Sequence, residues 1–172
     1  MAKAGKWAVT WPRVDKREMV HAVRTTIAAV GSLLIARLCK LPEAYWAAIT
    51  TMIVMQSTLG GALAISKQRL AGTAMGAAMG ALIATFAGTN VILFGAGILA
   101  LGLICALLRM DRSAYRYAGI TLAIVLLVAR NQAAWIIALH RFIEISLGIA
   151  AGLLITAIWP EDPPALVSAG RA

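Results

Sequence analysis

Apolar residues in this chain come in long unbroken runs rather than in narrow stripes. The runs lie near Val20–Cys39, Ala44–Gly60, Leu70–Ala87, Val91–Leu108, Tyr115–Ala129 and Ala134–Trp159, and few charges interrupt them. A helix needs about 20 mainly apolar residues to cross the hydrocarbon core of a bilayer. The pattern therefore predicts an all-α polytopic membrane protein with six transmembrane helices. The fifth run is short and must borrow its flanks; the sixth is long enough to tilt or to project. The connectors Lys40–Glu43, Gly61–Arg69, Gly88–Asn90, Arg109–Ala114 and Arg130–Ala133 are too short for a soluble domain. The expected organisation is a basic segment over residues 1–19, a six-helix domain over 20–160 and a tail over 161–172.

Composition excludes the alternatives. Of 172 residues, 61% are hydrophobic and 13% charged, and the mean hydropathy is +0.84. Soluble domains carry about 25% charged residues, so there is too little polar surface here to coat a soluble enzyme or a nucleic-acid-binding domain. The net charge of +9 matches the Lys/Arg excess of cytoplasmic loops. With the N-terminus inside, the cytoplasmic side collects eleven cations: Lys3, Lys6, Arg13, Lys16, Arg17, Lys67, Arg69, Arg109, Arg112, Arg116 and Arg171. The outer ends collect three, Arg37, Lys40 and Arg130, while Arg24 and Arg141 fall inside apolar runs. Both termini are therefore expected in the cytoplasm. Trp46 and Trp135 then meet the outer interface, and Trp159 and Tyr115 the inner one. Trp7 and Trp11 among basic residues fit either a segment lying on the membrane surface or a disordered basic tail.

Enzyme chemistry has no foothold. The chain shows no P-loop, no GxSxG and no zinc-ligand spacing, and His21 and His140 are far apart. Cys39 and Cys105 lack CxxC spacing and read as inert. No cofactor, metal or nucleic-acid partner is expected. Arg24, Arg69 and Arg116 recur at intervals of 45 and 47 residues, each followed seven positions later by Gly31, Gly76 or Ala123. That spacing suggests three repeated helical hairpins, or the positive-inside rule acting three times.

The candidate chemistry lies on polar faces of apolar helices. The first run aligns His21, Arg24, Thr25, Ala28, Gly31 and Ser32, and the last aligns Arg141, Glu144, Gly148, Gly152 and Thr156. A charge near the bilayer centre costs roughly 3 kcal/mol on insertion scales and normally faces a bundle interior or a watery cavity. Arg141 and Glu144, at i and i+3, can form a self-neutralising structural pair. Alternatively Arg141 attracts an anion and Glu144 sets the local charge or carries a proton. Arg24 is the second anion candidate, with snorkelling to the inner surface as the alternative. Thr25, Thr50, Ser57 and Thr156 can line a path or bond to neighbouring helices. Gly72, Gly76 and Gly80, with Ala84 and Gly88, form a small-residue stripe suited to close helix packing or to a subunit contact, and Gly148 and Gly152 belong to the same class.

The segment YWAAITTMIVMQSTLGGALAISKQRLAGTAMGAAMGALIA (Tyr45–Ala84) resembles the fusaric-acid-resistance or aromatic-acid-exporter family. The likeness rests on Tyr45–Ala48, on Gln68, Arg69, Gly72 and Thr73, and on Arg141, Glu144, Gly148 and Pro160 in the last helix. It implies a six-helix module of a bacterial inner membrane that moves organic, often aromatic, carboxylate anions outward. Plant aluminium-activated malate channels look like distant relatives. The resemblance also implies a periplasmic adaptor as a partner. Exporters of that family carry a second membrane module and a cytoplasmic domain not seen in this chain, so a homo-oligomer, most simply a dimer, is expected. The competing reading is a non-transporting membrane subunit whose buried charges serve assembly.

The orientation has a direct check. In a variant lacking Cys39 and Cys105, single cysteines at positions 89 and 132 should react with a membrane-impermeant reagent added to intact cells, and one at position 67 should not. Labelling at position 67 from outside would reverse the orientation.

Overall fold

The computed structural model describes residues 15–56, 58–128 and 132–160. These form six helices: α1 Lys16–Leu38, α2 Tyr45–Val54, α3 Leu59–Phe86, α4 Val91–Leu107, α5 Arg112–Leu127 and α6 Ala134–Ile158. Local chemistry sets their starts. Asp15, Thr58 and Asn90 each place a side-chain oxygen on a backbone N–H of the first turn of α1, α3 and α4. The other ends of α1 and α4 turn over through Lys40 and Arg109, both at positive φ (54° and 53°). There the Leu41 N–H bonds the Ala36 carbonyl and the Met110 N–H bonds the Cys105 carbonyl, the pattern that closes a helix and reverses the chain at once. The basic segment around Trp7 and Trp11, and the tail, lie outside the described residues.

The architecture is all-helical, but the helices are unequal. Among the described residues, α1, α3 and α6 are long and apolar enough to cross a membrane; α2 and α4 are shorter apolar helices. The run Ala44–Gly60 is not one helix. Met55 turns extended (ψ 116°), the Gln56 carbonyl is taken by Arg24, and Thr58 starts a new helix. The expected connector Gly61–Arg69 is instead the first third of α3, because Ala62 packs on Val54, Ile145 and Ile149. With 10 residues, α2 reaches roughly 15 Å, about half the hydrocarbon thickness.

Close contacts between glycine and backbone set the register. A Cβ on Gly72 or Gly76 would collide with the carbonyl of Ala114 or Ala118, and one on Gly80 would come within 2.9 Å of Val125. These contacts run α3 and α5 in parallel. A Cβ on Gly148 would collide with the Ala47 carbonyl, and one on Gly152 would stand 3.0 Å from Val54, so α2 and α6 are parallel too. Helices α3 and α6 run antiparallel, with Ala62 near Ile149 and Ala77 near Ile137 and Ala138. Helix α4 covers α5 through Leu101, Leu122 and Leu126. Gly72, Gly76 and Gly80 are thus spent on the contact with α5, while Gly88 lies beyond α3 with open space at its Cβ position.

Two further expectations change. The three spaced arginines are not equivalent: Arg24 and Arg69 are buried whereas Arg116 is exposed, and Gly31 meets open space while Gly76 meets backbone. The polar faces of α1 and α6 are also hidden within one chain, since Arg24, Ser32, Arg141, Glu144 and Thr156 are all buried. Hiding them needs no second copy.

Helix contact and open space make separable predictions. Gly76→Leu should force α3 from α5 and cost at least about 1–3 kcal/mol, a drop of several degrees in the melting temperature of the detergent-solubilised protein. Gly31→Leu, with nothing near its Cβ position, should leave the melting temperature within a degree or two.

Candidate functional site

Arg141 and Arg24 are the two largest fully buried side chains among the described residues. Arg141 stands seven positions into α6, roughly 10 Å along the helix from Ala134. At that level the α1–α2 turn approaches and delivers Glu43. The Arg141 guanidinium makes an ion pair with the Glu43 carboxylate and a second, at 3.3 Å, with Glu144. It also lies over the Trp46 ring, 4.5 Å from the centroid, where the ring's negative face favours a cation. Trp46 Nε1 donates to Glu43 Oε2 at 3.1 Å, and the Glu43 backbone N–H donates to Glu144 Oε1 at 2.9 Å. Glu144 therefore does two things: it partners Arg141, and it holds the backbone at the entry to α2. Sequence alone pairs Arg141 with Glu144; the structure adds a second carboxylate.

Arg69 lies across a small cleft from Arg141. The cleft is lined by Trp46, Arg69, Thr73, Tyr117, Ile120, Thr121, Ile124, Arg141 and Ile145, and is narrow, with a free interior of about 10 Å³, room for a water. Helices α2, α3, α5 and α6 all contribute. Arg69 donates to Thr50 Oγ1 through Nε (3.2 Å) and a terminal nitrogen (3.0 Å), and its guanidinium carbon sits 4.8 Å from the Tyr117 ring centroid. No carboxylate pairs with Arg69 among the described residues. It is 4% exposed, and the groups set against its charge are the Thr50 hydroxyl and the Tyr117 side chain.

Arg24 is placed elsewhere. It does not line the cleft; its guanidinium donates to the carbonyls of Trp159 and, at 2.7 Å, Gln56. Those carbonyls lie just beyond the ends of α6 and α2, where backbone acceptors lack helical donors. Among the candidate hydroxyls, Thr50 belongs to the cleft through Arg69. Thr156 donates to the Gly152 carbonyl at 2.8 Å and lies 3.7 Å from Met55 Sδ. Thr25 has a buried Oγ1 with no hydrogen-bond partner among the described residues. Ser57 lies outside the described residues. Gly72, Gly76, Gly80, Gly148 and Gly152 all make the close helix contacts described above.

Sequence reasoning missed three members of this site. Arg69 had a signal in the Gln-Arg-x-x-Gly-Thr step, but its place at the start of a run reads as positive-inside. Glu43 closes the expected connector Lys40–Glu43 and shares a side of the second run with Trp46, Thr50 and Ser57, but only the depth of the α1–α2 turn brings it to Arg141. Thr51 carried no signal: its hydroxyl lies within 3.0 Å of Ser32 Oγ, the Ala47 carbonyl and the Gly148 carbonyl, joining α1, α2 and α6.

The chain is similar to larger membrane proteins. It is 29% identical over 147 residues to the inner membrane protein YeeA of Escherichia coli K12, covering 83% of this chain and 41% of YeeA. It is 30% identical over 180 residues to the uncharacterized transporter YdhK of the same organism, covering 96% of this chain and 27% of YdhK. The YdhK of Salmonella typhimurium LT2 is 30% identical over 170 residues, with 92% and 25% covered. The chain thus spans between a quarter and two fifths of the length of these relatives. No solved structure matches it. The model of the fusaric acid resistance protein family matches residues 18–169, and with nearly the whole chain matched, the protein belongs to that family.

Proposed function

We propose that this chain is the membrane module of an organic-anion transporter, and that carboxylate anions, aromatic ones included, pass by the cleft between α2, α3, α5 and α6. The observation that carries this reading is the pair of buried guanidiniums facing one cleft, Arg69 and Arg141, each against an aromatic ring. A guanidinium offers a planar fork of N–H donors matched to a carboxylate, and Trp46 and Tyr117 offer flat apolar surface for an aryl group. Membership of the family and the likeness to the YdhK transporters support a transport role. In this proposal the chain is multi-pass in a bacterial inner membrane with both termini cytoplasmic, supported by the charge asymmetry and by the name of YeeA. Arg24 sits at the cytoplasmic end as a second attracting charge. A homo-oligomer, most simply two copies, and a periplasmic adaptor belong to the same proposal.

A second reading has its own support. Two carboxylates on Arg141 look like scaffolding, as a non-transporting subunit would have. Flux of benzoate in proteoliposomes separates the two. Arg69→Gln should reduce flux roughly ten- to hundredfold, the worth of one charge-assisted hydrogen bond, with folded protein still in the membrane. Wild-type flux in Arg69→Gln would overturn the assignment. Arg141→Gln should destabilise by about 3–5 kcal/mol, since it removes the guanidinium that the buried Glu144 and the half-buried Glu43 both face. Adding Glu43→Gln and Glu144→Gln to it should recover folded protein without recovering flux. Full flux in that triple variant would make the whole cluster scaffolding.

A further inference from the structure

The described helices repeat one three-helix plan. The segment WAAITTMIV (Trp46–Val54) of α2 returns 71 positions later as YAGITLAIV (Tyr117–Val125) of α5, with Ala, Ile, Thr, Ile and Val in register. Arg69, Gly76 and Gly80 of α3 return 72 positions later as Arg141, Gly148 and Gly152 of α6. The turns after α1 and α4 match too: Lys40 and Arg109 sit at φ 54° and 53°, and the same backbone hydrogen bond closes each. Helices α1–α3 and α4–α6 thus form two equivalent units, and because α3 and α6 are antiparallel, the units are inverted. Their mutual contacts correspond residue by residue. Gly76, seven past Arg69, meets the carbonyl of Ala118, the neighbour of Tyr117; Gly148, seven past Arg141, meets the carbonyl of Ala47, the neighbour of Trp46. Gly80 meets Val125, and Gly152 meets Val54. Each arginine then lies against an aromatic ring of the other unit, at 4.8 and 4.5 Å from its centroid.

The two units are nevertheless in different states. Arg69 donates twice to Thr50, four past Trp46. The counterpart of Thr50 is Thr121, four past Tyr117, and its hydroxyl donates to the Tyr117 carbonyl at 3.0 Å instead. Arg141 Nε, the counterpart of the Arg69 Nε that bonds Thr50, has no hydrogen-bond partner among the described residues. The cleft is uneven in the same sense. Ile120, Thr121 and Ile124 line it, whereas their counterparts Ile49, Thr50 and Ile53 do not. From the level of the arginines α5 runs with α3 toward Phe86, while α2 runs with α6 toward the opposite end of α3. The two possible halves of the cleft therefore face opposite ends of the bundle. The half along α5 has room for a water, and the half along α2 is shut where Arg69 grips Thr50.

We propose that the two units exchange states: in a second conformer Arg141 Nε donates to Thr121, Arg69 releases Thr50, and the cleft shuts along α5 and opens along α2. In inverted repeats the site lies at the repeat interface, and rocking one repeat against the other exposes it to each side of the membrane in turn. A guanidinium carries five N–H donors, so Arg141 can take the hydroxyl and keep both carboxylates. The inference rests on the transport reading above and supplies its conformational cycle, of which the water-sized cleft is one station.

The test needs no substrate. In the full chain lacking Cys39 and Cys105, Ile124→Cys and Ile53→Cys are made singly and treated with a small membrane-impermeant thiol reagent, in intact cells and in inside-out membrane vesicles. Ile124→Cys should react from one side only, and Ile53→Cys from the other side only. Thr50→Val removes the hydroxyl that holds the present state. It should raise the rate for Ile53→Cys relative to that for Ile124→Cys roughly tenfold, the worth of one hydrogen bond to a charged group. Thr121→Val removes the acceptor of the second state and should lower the same ratio. Thr50→Ser keeps the hydroxyl and should leave the ratio at the parent's value. Labelling of both cysteines from one side overturns the exchange. So does an Ile53→Cys that reacts from neither side in any background, or a ratio that moves the same way in both Val variants. Opposite-side labelling together with wild-type benzoate flux in Arg69→Gln would sink the anion reading and leave the exchange standing. Same-side labelling with flux lost in Arg69→Gln would do the converse.

Discussion

A guanidinium cannot be left bare in a low-dielectric interior, and the placement of Arg141 governs much of what surrounds it. Its neutralisation takes two carboxylates, and Glu43 reaches it only because the α1–α2 turn stops at the level of the second turn of α6. That depth fixes where α2 begins. Glu144 then anchors the same place a second time through the Glu43 backbone N–H. The parallel register of α2 and α6, with Ala47 on Gly148 and Val54 on Gly152, continues what this ionic contact starts. At the other end of the two helices Arg24 collects the carbonyls of Gln56 and Trp159. Helices α2 and α6 are thus held by a guanidinium at each end and by glycine contacts between.

Glycine serves electrostatics here as well as packing. Backbones that approach this closely bring short side chains within reach of one another. Thr51 can touch three helices because Gly148 lets its carbonyl come within 3.0 Å. Thr50 is near enough to α3 to accept from Arg69. On the other side, Gly72 and Gly76 draw α5 against α3, which sets Tyr117 over the Arg69 guanidinium. With larger residues at these positions the helices would separate, and both arginines would lose the partners that make their burial tolerable.

Much of the fold was legible in the sequence, and for simple reasons. Long apolar runs bounded by charges report helices, and α4 and α6 begin where the runs begin. The break within Ala44–Gly60 was not legible, because it depends on Arg24 accepting the role of donor to a carbonyl 32 residues away. The site was half legible. Arg141 and Glu144 betray themselves as charges inside an apolar run. Glu43 and Arg69 lie at run boundaries, where charges are ordinary, and only the relative height of the helices moves them into the interior. Height is a property of tertiary packing, and no periodicity within one helix encodes it.

That difference in height has a consequence for the lipid. At the far end of the bundle Phe86, Ile92 and Trp135 are strongly exposed and present apolar surface up to the last turn of α3 and the first of α4 and α6. The α1–α2 turn, with exposed Arg37 and Lys40, stands roughly 10 Å lower. A bilayer of one thickness cannot satisfy both flanks. A flank whose apolar surface is shorter than the hydrocarbon layer carries a cost that grows with each ångström of mismatch. Acyl-chain length thereby becomes a variable that bears on the same turn that carries Glu43.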